Sequence, residues 1–441
     1  MHAVFEIKKQ SRSNMTLRIP KMIDVERRDT SSHAWDFQEV LSRQFLATKA
    51  LERVKLGDRI AIAVGSRGIT NLQKIVSSTL RVLRDAGARP FIVPAMGSHG
   101  GATPEGQAHV LSEYGITEQA MGVRFDTRMD VRHIGTSENG VEVFLSEAAM
   151  DADGIVLINR VKPHTDFSGN LGSGILKMIA IGLGKHRGSV VCHAAASRLG
   201  HEAVIRAVSR VALRKAPIVC GVAIVEDQTH ETTEIQVLKP ENLEEREGEL
   251  FAKAQSLMPK LPFDEIDLLI VDFMGKDISG AGMDPNVIGR SVYGYSSSLL
   301  PPSKGAKPYI YRIFVRELTQ ATNGNAIGIG LADFTTTRAV RQCNLQASYT
   351  NSLAALTPST VKIPIYFDTD RECIERALVS LALPELAVPR IVRIANTLSL
   401  DKLQVSEAYG PQVAGRPDLA VSVSAHDMEF DHEGNLLPLP F

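Results

Sequence analysis

Short apolar runs alternate with helical patterns along the first half of this chain, and a glycine-containing loop follows each run. Residues 59–64 (RIAIAV) predict a β-strand, which a loop connects to an amphipathic helix at 72–86. Residues 90–95 (PFIVPA) predict a second strand, which is followed by a helix at 104–113. A repeated order of strand, loop and helix is typical of a parallel sheet covered by helices. The sequence therefore predicts an α/β fold.

A proline-containing linker, MPKLP at residues 258–262, separates two sets of predicted elements. Before it, strands are expected at 154–158 and 218–225 and a charged helix at 242–257. After it, the expected elements are strands at 266–273, 310–315, 326–331 and 362–367, and a helix at 370–381. We therefore expect two domains with largely parallel, helix-covered sheets, residues 1–258 and residues 259–441, and an active site in the cleft between them. The last residues are expected to lie on the surface or to pack back on the first domain.

The composition argues against several classes of protein. The net charge of −1 gives no electrostatic basis for binding nucleic acid. The four cysteines form no CxxC pair, which argues against a disulfide framework and against a cysteine-built zinc site. No apolar run approaches the roughly 20 residues of a membrane span. Residues 1–15 carry charge but no apolar signal-peptide core, and whether Met1 or Met15 is the true start stays open. We therefore expect a cytoplasmic protein that binds neither nucleic acid nor membranes.

Four polar, glycine-containing loops directly follow predicted strands: GSRG, MGSHGGAT, RVKPHTDFSG and MGKD. In doubly wound sheets, ligands bind at the carboxyl ends of the strands. We therefore expect one cleft to gather the side chains that these loops carry, which are Arg67, His99, His164 and Lys276. The segment after the third loop adds Lys177 and His193.

Each of these residues also has a plain structural explanation. Arg67 fits either a solvated turn or a fork that binds a carboxylate or phosphate. Thr103 and Pro104 explain the start of the next helix, but they do not explain a histidine among glycines, so His99 is assigned a chemical role. Lys177 lies in an apolar run, where a free ammonium would be costly to bury. The histidines interpreted as surface or structural residues are His133, His201, His230, His426 and His432.

Two nucleotide-binding motifs are absent from the sequence. The segment GLGK at 182–185 lacks the first glycine of a phosphate-binding loop, and His186 stands where a serine or threonine is needed. No GxGxxG follows a predicted strand. An ordinary NAD or ATP enzyme is therefore disfavoured.

The ordered set of Arg67, His99, His164, Lys177 and His193 resembles the lactate racemase family over about residues 55–200, and GKD at 275–277 resembles a PKD segment of that family. The resemblance implies a nickel-pincer nucleotide (pyridinium-3,5-bisthiocarboxylic acid mononucleotide nickel), joined through Lys177, with His193 on the nickel. It implies that His99 and His164 are the two acid/bases and that Arg67 and Lys276 hold the substrate carboxylate or the cofactor phosphate. The further cofactor contacts expected are Ser66, Thr103, Gly172 and Gly174.

The function implied is a racemase or epimerase that inverts C2 of a 2-hydroxy acid by hydride transfer to this cofactor. We expect a substrate larger or more polar than lactate, because the only tryptophan, Trp35, is far in sequence from the position of the family's substrate-pocket tryptophan. The partners implied are the small-molecule substrate and the proteins that synthesise the cofactor, and the oligomeric state stays open. Two alternatives remain. One is a zinc-dependent hydrolase or lyase that uses His99, His164 and His193, and the other is a non-catalytic cofactor-binding protein.

Overall fold

The computed structural model describes residues 18–28, 35–65, 68–163, 169–292, 308–384 and 386–439. They fall into two compact units, one within residues 31–258 and the other made from residues within 1–30 and 259–441. The second unit therefore includes an N-terminal strand, which the sequence pattern had assigned to the first domain. The reason is backbone pairing, because Met22–Arg27 lies between two strands from the C-terminal end of the chain.

In chain order, the strands of the described residues are β1 Met22–Arg27, β2 Arg59–Val64, β3 Arg89–Pro94, β4 Val131–Thr136, β5 Glu142–Ser146, β6 Gly154–Arg160, β7 Ile218–Glu226, β8 Thr232–Leu238, β9 Glu265–Met274, β10 Tyr309–Leu318, β11 Phe334–Thr336, β12 Ile365–Phe367, β13 Ile391–Ile394, β14 Lys402–Ser406 and β15 Leu419–His426.

In the same order, the α-helices of these residues are α1 Phe37–Thr48, α2 Leu72–Asp85, α3 Pro104–Glu113, α4 Glu118–Met121, α5 Glu147–Met150, α6 Ile175–Lys177, α7 Lys185–Leu199, α8 His201–Lys215, α9 Leu243–Ser256, α10 Pro285–Ile288, α11 Thr337–Gln342, α12 Leu345–Ala354, α13 Asp370–Val379 and α14 Gly410–Ala414. A π-helical turn, Met178–Gly182, follows α6. None of these helices is long and apolar enough to cross a membrane.

The sheet of the first unit has the strand order β3-β2-β6-β7-β8, and only β8 is antiparallel to its neighbour. Along β2, Ala61 and Ala63 are buried in one apolar cluster, while Ile60 and Ile62 are buried in another. Because alternate residues of a strand point to opposite faces, both faces of this sheet are covered. The strands predicted from the sequence in this unit are confirmed, and the fold is α/β with a largely parallel, helix-covered sheet.

The sheet of the second unit has the order β12-β11-β10-β9-β13-β14-β1-β15. Its strands are parallel from β12 to β13, while β14, β1 and β15 each run antiparallel to the strand before them in this order. The strand predicted at 326–331 is wrong, because Ile329–Leu331 is a 3-10 turn. Gly328 has a φ of +96°, and a Cβ at that position would lie 1.8 Å from the carbonyl oxygen of Ala281. This close approach of two backbones bends the chain away from a strand.

Buried arginines hold the C-terminal segment within the second unit. Arg316 and Arg393 each donate a hydrogen bond of 2.7 Å to backbone carbonyls of that segment, at Leu436 and Leu437. Both guanidinium groups also pair with the buried Asp272. The described end of the chain is therefore fixed by contacts in this unit, whereas the sequence pattern suggested a place on the surface or against the first domain.

Candidate functional site

Parallel pairing brings the carboxyl ends of β2, β3, β6 and β7 to one edge of the first unit's sheet. The loops that leave this edge include the GSRG loop, the His99 loop and the loop after β6. Ser66, Arg67 and His164 lie outside the described residues, so the structure does not place them. Lys276 lies two residues after the end of β9 and belongs to the second unit.

The His99 loop lies against the π-helical turn with direct backbone contact. The Gly97 N–H donates to the Gly182 carbonyl at 3.2 Å. A Cβ on Gly182 would lie 2.6 Å from the Ala95 carbonyl oxygen, and Gly97 has a φ of +61°. Only glycine fits both positions without a shift of the backbone. The half-buried His99 is therefore carried by a loop that the turn after Lys177 holds in place.

A buried lysine and a buried glutamine hold the same loop from the other side. The Lys185 ammonium donates to the Pro94 carbonyl at 2.7 Å and to Gln107 Oε1 at 3.3 Å. Gln107 Nε2 in turn donates to the carbonyls of Gly97 at 2.9 Å and His99 at 3.3 Å. Both side chains are fully buried. Burial lowers the pKa of Lys185 to about 8, although the charge of Asp126 opposes this shift. The lysine of GLGK therefore binds protein groups.

This pair was not predicted from the sequence, and the reason is distance along the chain. Lys185 lies 91 residues from Pro94 and 78 residues from Gln107. Lys185 also has a φ of +52°, in the left-handed region that non-glycine residues rarely adopt. The strain is tolerated because two hydrogen bonds and full burial fix the side chain.

The helix that begins after Gly174 carries Lys177. Ile175 and Leu176 are buried, as are Met178 and Ile179, but Lys177 itself is partly exposed. The residue is therefore not fully buried, although its neighbours in the sequence form an apolar run. The segment changes from α6 to the π-helical turn directly after Lys177. π-Helical turns are rare in proteins, and those that do occur are often found at functional sites.

A buried carboxylate caps the start of this helix. Glu247 on α9 accepts hydrogen bonds from the backbone N–H groups of Ile175 at 2.6 Å and Leu176 at 3.1 Å. A Cβ on Gly174 would lie 2.3 Å from Glu247 Oε1. Burial raises the pKa of Glu247 to about 7, although both hydrogen bonds and the charge of Arg206 lower it. The Gly-rich turn thus does present backbone N–H groups to an anion, as its composition indicates, and Glu247 supplies that anion.

The other residues expected to contact the cofactor have clear local roles. Thr103 caps α3, since its hydroxyl accepts a hydrogen bond of 3.0 Å from the Gly106 N–H. Gly172 is buried in the segment that leads to Lys177. Neither observation assigns a contact to a bound molecule.

His193 is exposed on α7, and a second histidine lies beside it. The ring of His201, at the start of α8, has its centroid 6.1 Å from that of His193, with the ring planes at 67°. The neighbouring Cys192 Sγ lies 3.6 Å from the Ala180 carbonyl, which ties α7 to the π-helical turn. His201, interpreted from the sequence as a surface or structural residue, therefore lies next to the proposed metal ligand.

Two further polar groups lie at the carboxyl ends of β6 and β7. Arg160 pairs with the buried Glu226, which also accepts a hydrogen bond of 2.7 Å from the Thr70 N–H. Burial raises the pKa of Glu226, although the charge of Arg160 opposes this. Arg160 Nε and His230 Nε2 are both buried and have no hydrogen-bond partner within the described part of the chain. His230, which was not expected to take part in chemistry, is therefore a candidate for contact with a polar ligand.

In the second unit, Lys276 is held by polar neighbours. Its ammonium donates to Asn351 Oδ1, and its backbone N–H donates to Thr322 Oγ1 at 3.1 Å. Asn351 Oδ1 also accepts a hydrogen bond of 3.2 Å from Asn325. A Cβ on Gly275 would lie 2.2 Å from Thr319 Oγ1, so a glycine is needed before this lysine. The amine is thus presented by a rigid loop.

No group of three or more His, Cys, Asp or Glu side chains with the geometry of a metal site occurs among the described residues. His164 is outside this set.

Three comparisons relate the chain to known proteins. Residues 10–204 match the family model of the lactate racemase N-terminal domain. The lactate racemase apoprotein from Thermoanaerobacterium thermosaccharolyticum is similar in structure, with 15% identity, a TM-score of 0.49 and coverage of 86% of this chain and 99% of that chain. A protein from Thermotoga maritima has 15% identity, a TM-score of 0.48 and coverage of 74% and 82%. No curated protein is significantly similar in sequence. Residues 10–204, a little under half of the chain, are therefore similar to the N-terminal domain of the lactate racemase family.

Proposed function

We propose that the protein is a racemase or epimerase of 2-hydroxy acids that uses a nickel-pincer nucleotide. The match of residues 10–204 to the lactate racemase N-terminal domain supports a racemase-type function in general. The observation that carries the finer proposal is the contact between Gly97 and Gly182. It joins the loop of one proposed acid/base, His99, to the turn that follows the proposed attachment residue, Lys177. Acid/base catalysis depends on such fixed positions relative to the reacting group.

The donor groups of the chain fit this cofactor. Lys177 offers a partly exposed primary amine for covalent attachment, and His193 offers an exposed imidazole. A neutral imidazole is a suitable nickel ligand. Arg160 Nε and His230 Nε2 are buried donors or acceptors that a polar group of a ligand would satisfy. When bound, the cofactor would supply the hydride acceptor that no side chain can provide.

The residues of the chain would bind the substrate and move its hydroxyl proton. His99 would accept that proton on one face of the substrate and return it during the reverse reaction. The resemblance assigns the other face to His164 and the binding of the carboxylate to Arg67 and Lys276. The hydrogen bonds from Gln107 to the His99 loop would keep the imidazole in place during this exchange.

Mass spectrometry and nickel analysis test this proposal, with protein made alongside the cofactor-synthesis proteins. We expect added mass on the Lys177 peptide and about one nickel per chain. The K177R variant should carry no added mass. The H99A variant should keep the added mass and nickel but lose racemisation of a panel of 2-hydroxy acids that includes lactate and sugar acids. An unmodified, nickel-free wild-type protein, or one that holds zinc instead, would contradict the proposal.

A further inference from the structure

We propose that Glu247 is a positioning residue for Lys177, and that its carboxylate fixes the first turn of the helix so that the lysine amine is presented for cofactor attachment. This inference rests on the proposed function. Its basis is a contact between a fully buried carboxylate on α9 and two backbone N–H groups that directly precede Lys177.

The turn before Lys177 is held by side chains from three different elements. Glu247 accepts from the N–H groups of Ile175 and Leu176. Asn159, on β6, donates from Nδ2 to the Gly174 carbonyl at 2.7 Å. Ser209, on α8, donates to the Leu176 carbonyl at 2.9 Å. These bonds hold the peptide group between Gly174 and Ile175 at both its carbonyl and its N–H, and they hold Leu176 at its N–H and its carbonyl, so the backbone that leads into Lys177 is fixed.

The position of Glu247 is hard to explain by stability alone. A buried carboxylate without an ion-pair partner is costly, and a neutral amide of the same shape avoids the cost of burying a charge. The charged group that acts on it is Arg206 on α8, which is itself bound to Glu202 and Glu244. The carboxylate provides strong hydrogen-bond acceptors for two backbone N–H groups at the start of the helix, where N–H groups have no acceptor within the helix itself.

Gly174 provides independent geometric support. Its φ is 175°, an extended conformation that any residue adopts, so backbone strain does not require glycine here. The requirement comes from space, because a Cβ would lie 2.3 Å from Glu247 Oε1 and 2.6 Å from its Cδ. A side chain at position 174 would therefore collide with the Glu247 carboxylate in its present position.

The experiment compares E247Q with E245Q, which changes an exposed glutamate on the same helix. Each protein is made with the cofactor-synthesis proteins, and the modified fraction of the Lys177 peptide is measured by mass spectrometry. We expect E247Q to lower this fraction about tenfold, in line with the effect of groups that orient a metal-site ligand, and E245Q to match the wild type. The thermal midpoint of E247Q should stay the same or rise. A purely structural role would lower the midpoint and the modified fraction together.

A pH series gives a second readout. Modification in lysates at pH 6 and pH 8 is expressed as the ratio of E247Q to wild type, which removes the pH dependence of cofactor synthesis. The ratio should be low at pH 8, where the wild-type carboxyl group is ionised, and should approach one at pH 6, where it is protonated. A ratio near one at both values would overturn the inference.

The G174A variant tests the contact itself. In the wild-type background it should lower the thermal midpoint by several degrees, and in the E247A background the same change should have little effect. Equal effects in both backgrounds would overturn the contact. Modification of wild type and E247Q to the same extent would overturn the inference alone, whereas an unmodified wild type would overturn the proposed function and this role with it.

Discussion

Replacement of Lys185 with methionine should change how the stability of the first unit depends on pH. The change keeps an unbranched side chain, shorter by one heavy atom, and removes a fully buried ammonium. Burial lowers the pKa of this group from its ordinary value of 10.5 to about 8. In the folded state it therefore loses its proton at a lower pH than it does in the unfolded chain.

The sign and size of the effect follow from that difference. A depressed pKa gives a stability contribution that is present above the unfolded pKa and is lost as the pH falls through the folded pKa. Between pH 7 and pH 9.5, the two pKa values predict a gain of about 2 kcal/mol in the free energy of unfolding of the wild type relative to K185M. Because all other titratable groups are shared, the difference between wild type and K185M removes their contributions to the pH dependence.

Urea unfolding at pH 7 and pH 9.5 measures this difference. The single tryptophan, Trp35, belongs to the same unit as Lys185 and stacks on Phe37 at 5.9 Å, so its fluorescence reports on that unit. The control is K74M, which changes an exposed lysine on α2 and should show no such pH-dependent difference. A wild-type and K185M difference that is the same at both pH values would refute a buried ammonium at this position.

Three further predictions concern the packing of both units. G182A places a Cβ 2.6 Å from the Ala95 carbonyl oxygen and should destabilise the first unit by about 1–3 kcal/mol. The control G248A adds a Cβ that meets no atom within 4 Å, so it should be neutral or stabilising. Calorimetry that finds equal stabilities for the two variants would contradict the close approach. D370N removes the charge of a carboxylate that is bound by Arg316 and Arg338, and it should lower the free energy of unfolding by about 3–5 kcal/mol. The control D368N changes an exposed carboxylate and should lower it far less. If urea unfolding shows only a small loss of stability for D370N, the buried ion pair is refuted. Burial lowers the pKa of His426, but the hydrogen bond and the charge of Asp24 outweigh it and raise the pKa. Its contribution to stability is therefore present at low pH and lost as the pH rises through the raised value, so H426A should cost more at pH 5.5 than at pH 8.5, unlike the control H432A.

Local patterns in the sequence were sufficient for most of the first unit. The apolar runs of β2, β3, β6 and β7 predicted strands, since such runs suit a sheet that is buried on both faces. Thr103 and Pro104 predicted the start of α3, and the hydroxyl of Thr103 does cap it. These features depend on residues only a few positions apart, so they could be predicted from the sequence.

Contacts between distant residues were not predictable in this way. The partners of Lys185 and Glu247 lie about 70 to 90 residues away along the chain. Nothing beside Glu247 in the sequence marks it as the anion of the Gly-rich turn, because the surrounding helix is rich in exposed charge. The predicted strand at 326–331 was wrong for the same reason, since the Ala281 carbonyl that excludes it comes from another loop.

The same distinction between local patterns and distant contacts applies to the residues of the candidate site. The sequence predicted roles for His99, Lys177 and His193 from residue type and glycine-rich surroundings, and these roles stay predictions. It did not single out His201 or His230 as candidates, because a histidine at a helix start or in a short turn has no distinctive neighbours. Only the folded structure places the His201 ring beside that of His193 and buries His230 Nε2 without a hydrogen-bond partner among the described residues.

The position of β1 between β14 and β15 has a consequence for biosynthesis. The second unit needs residues from both ends of the chain, so its sheet cannot be completed until the last strand has left the ribosome. The first unit lies wholly between these ends and can fold while synthesis continues. During that interval β1 has no partner strand, because both strands that flank it lie near the C-terminal end of the chain. A fragment that starts at Pro259 would lack β1 and would expose two sheet edges to other chains.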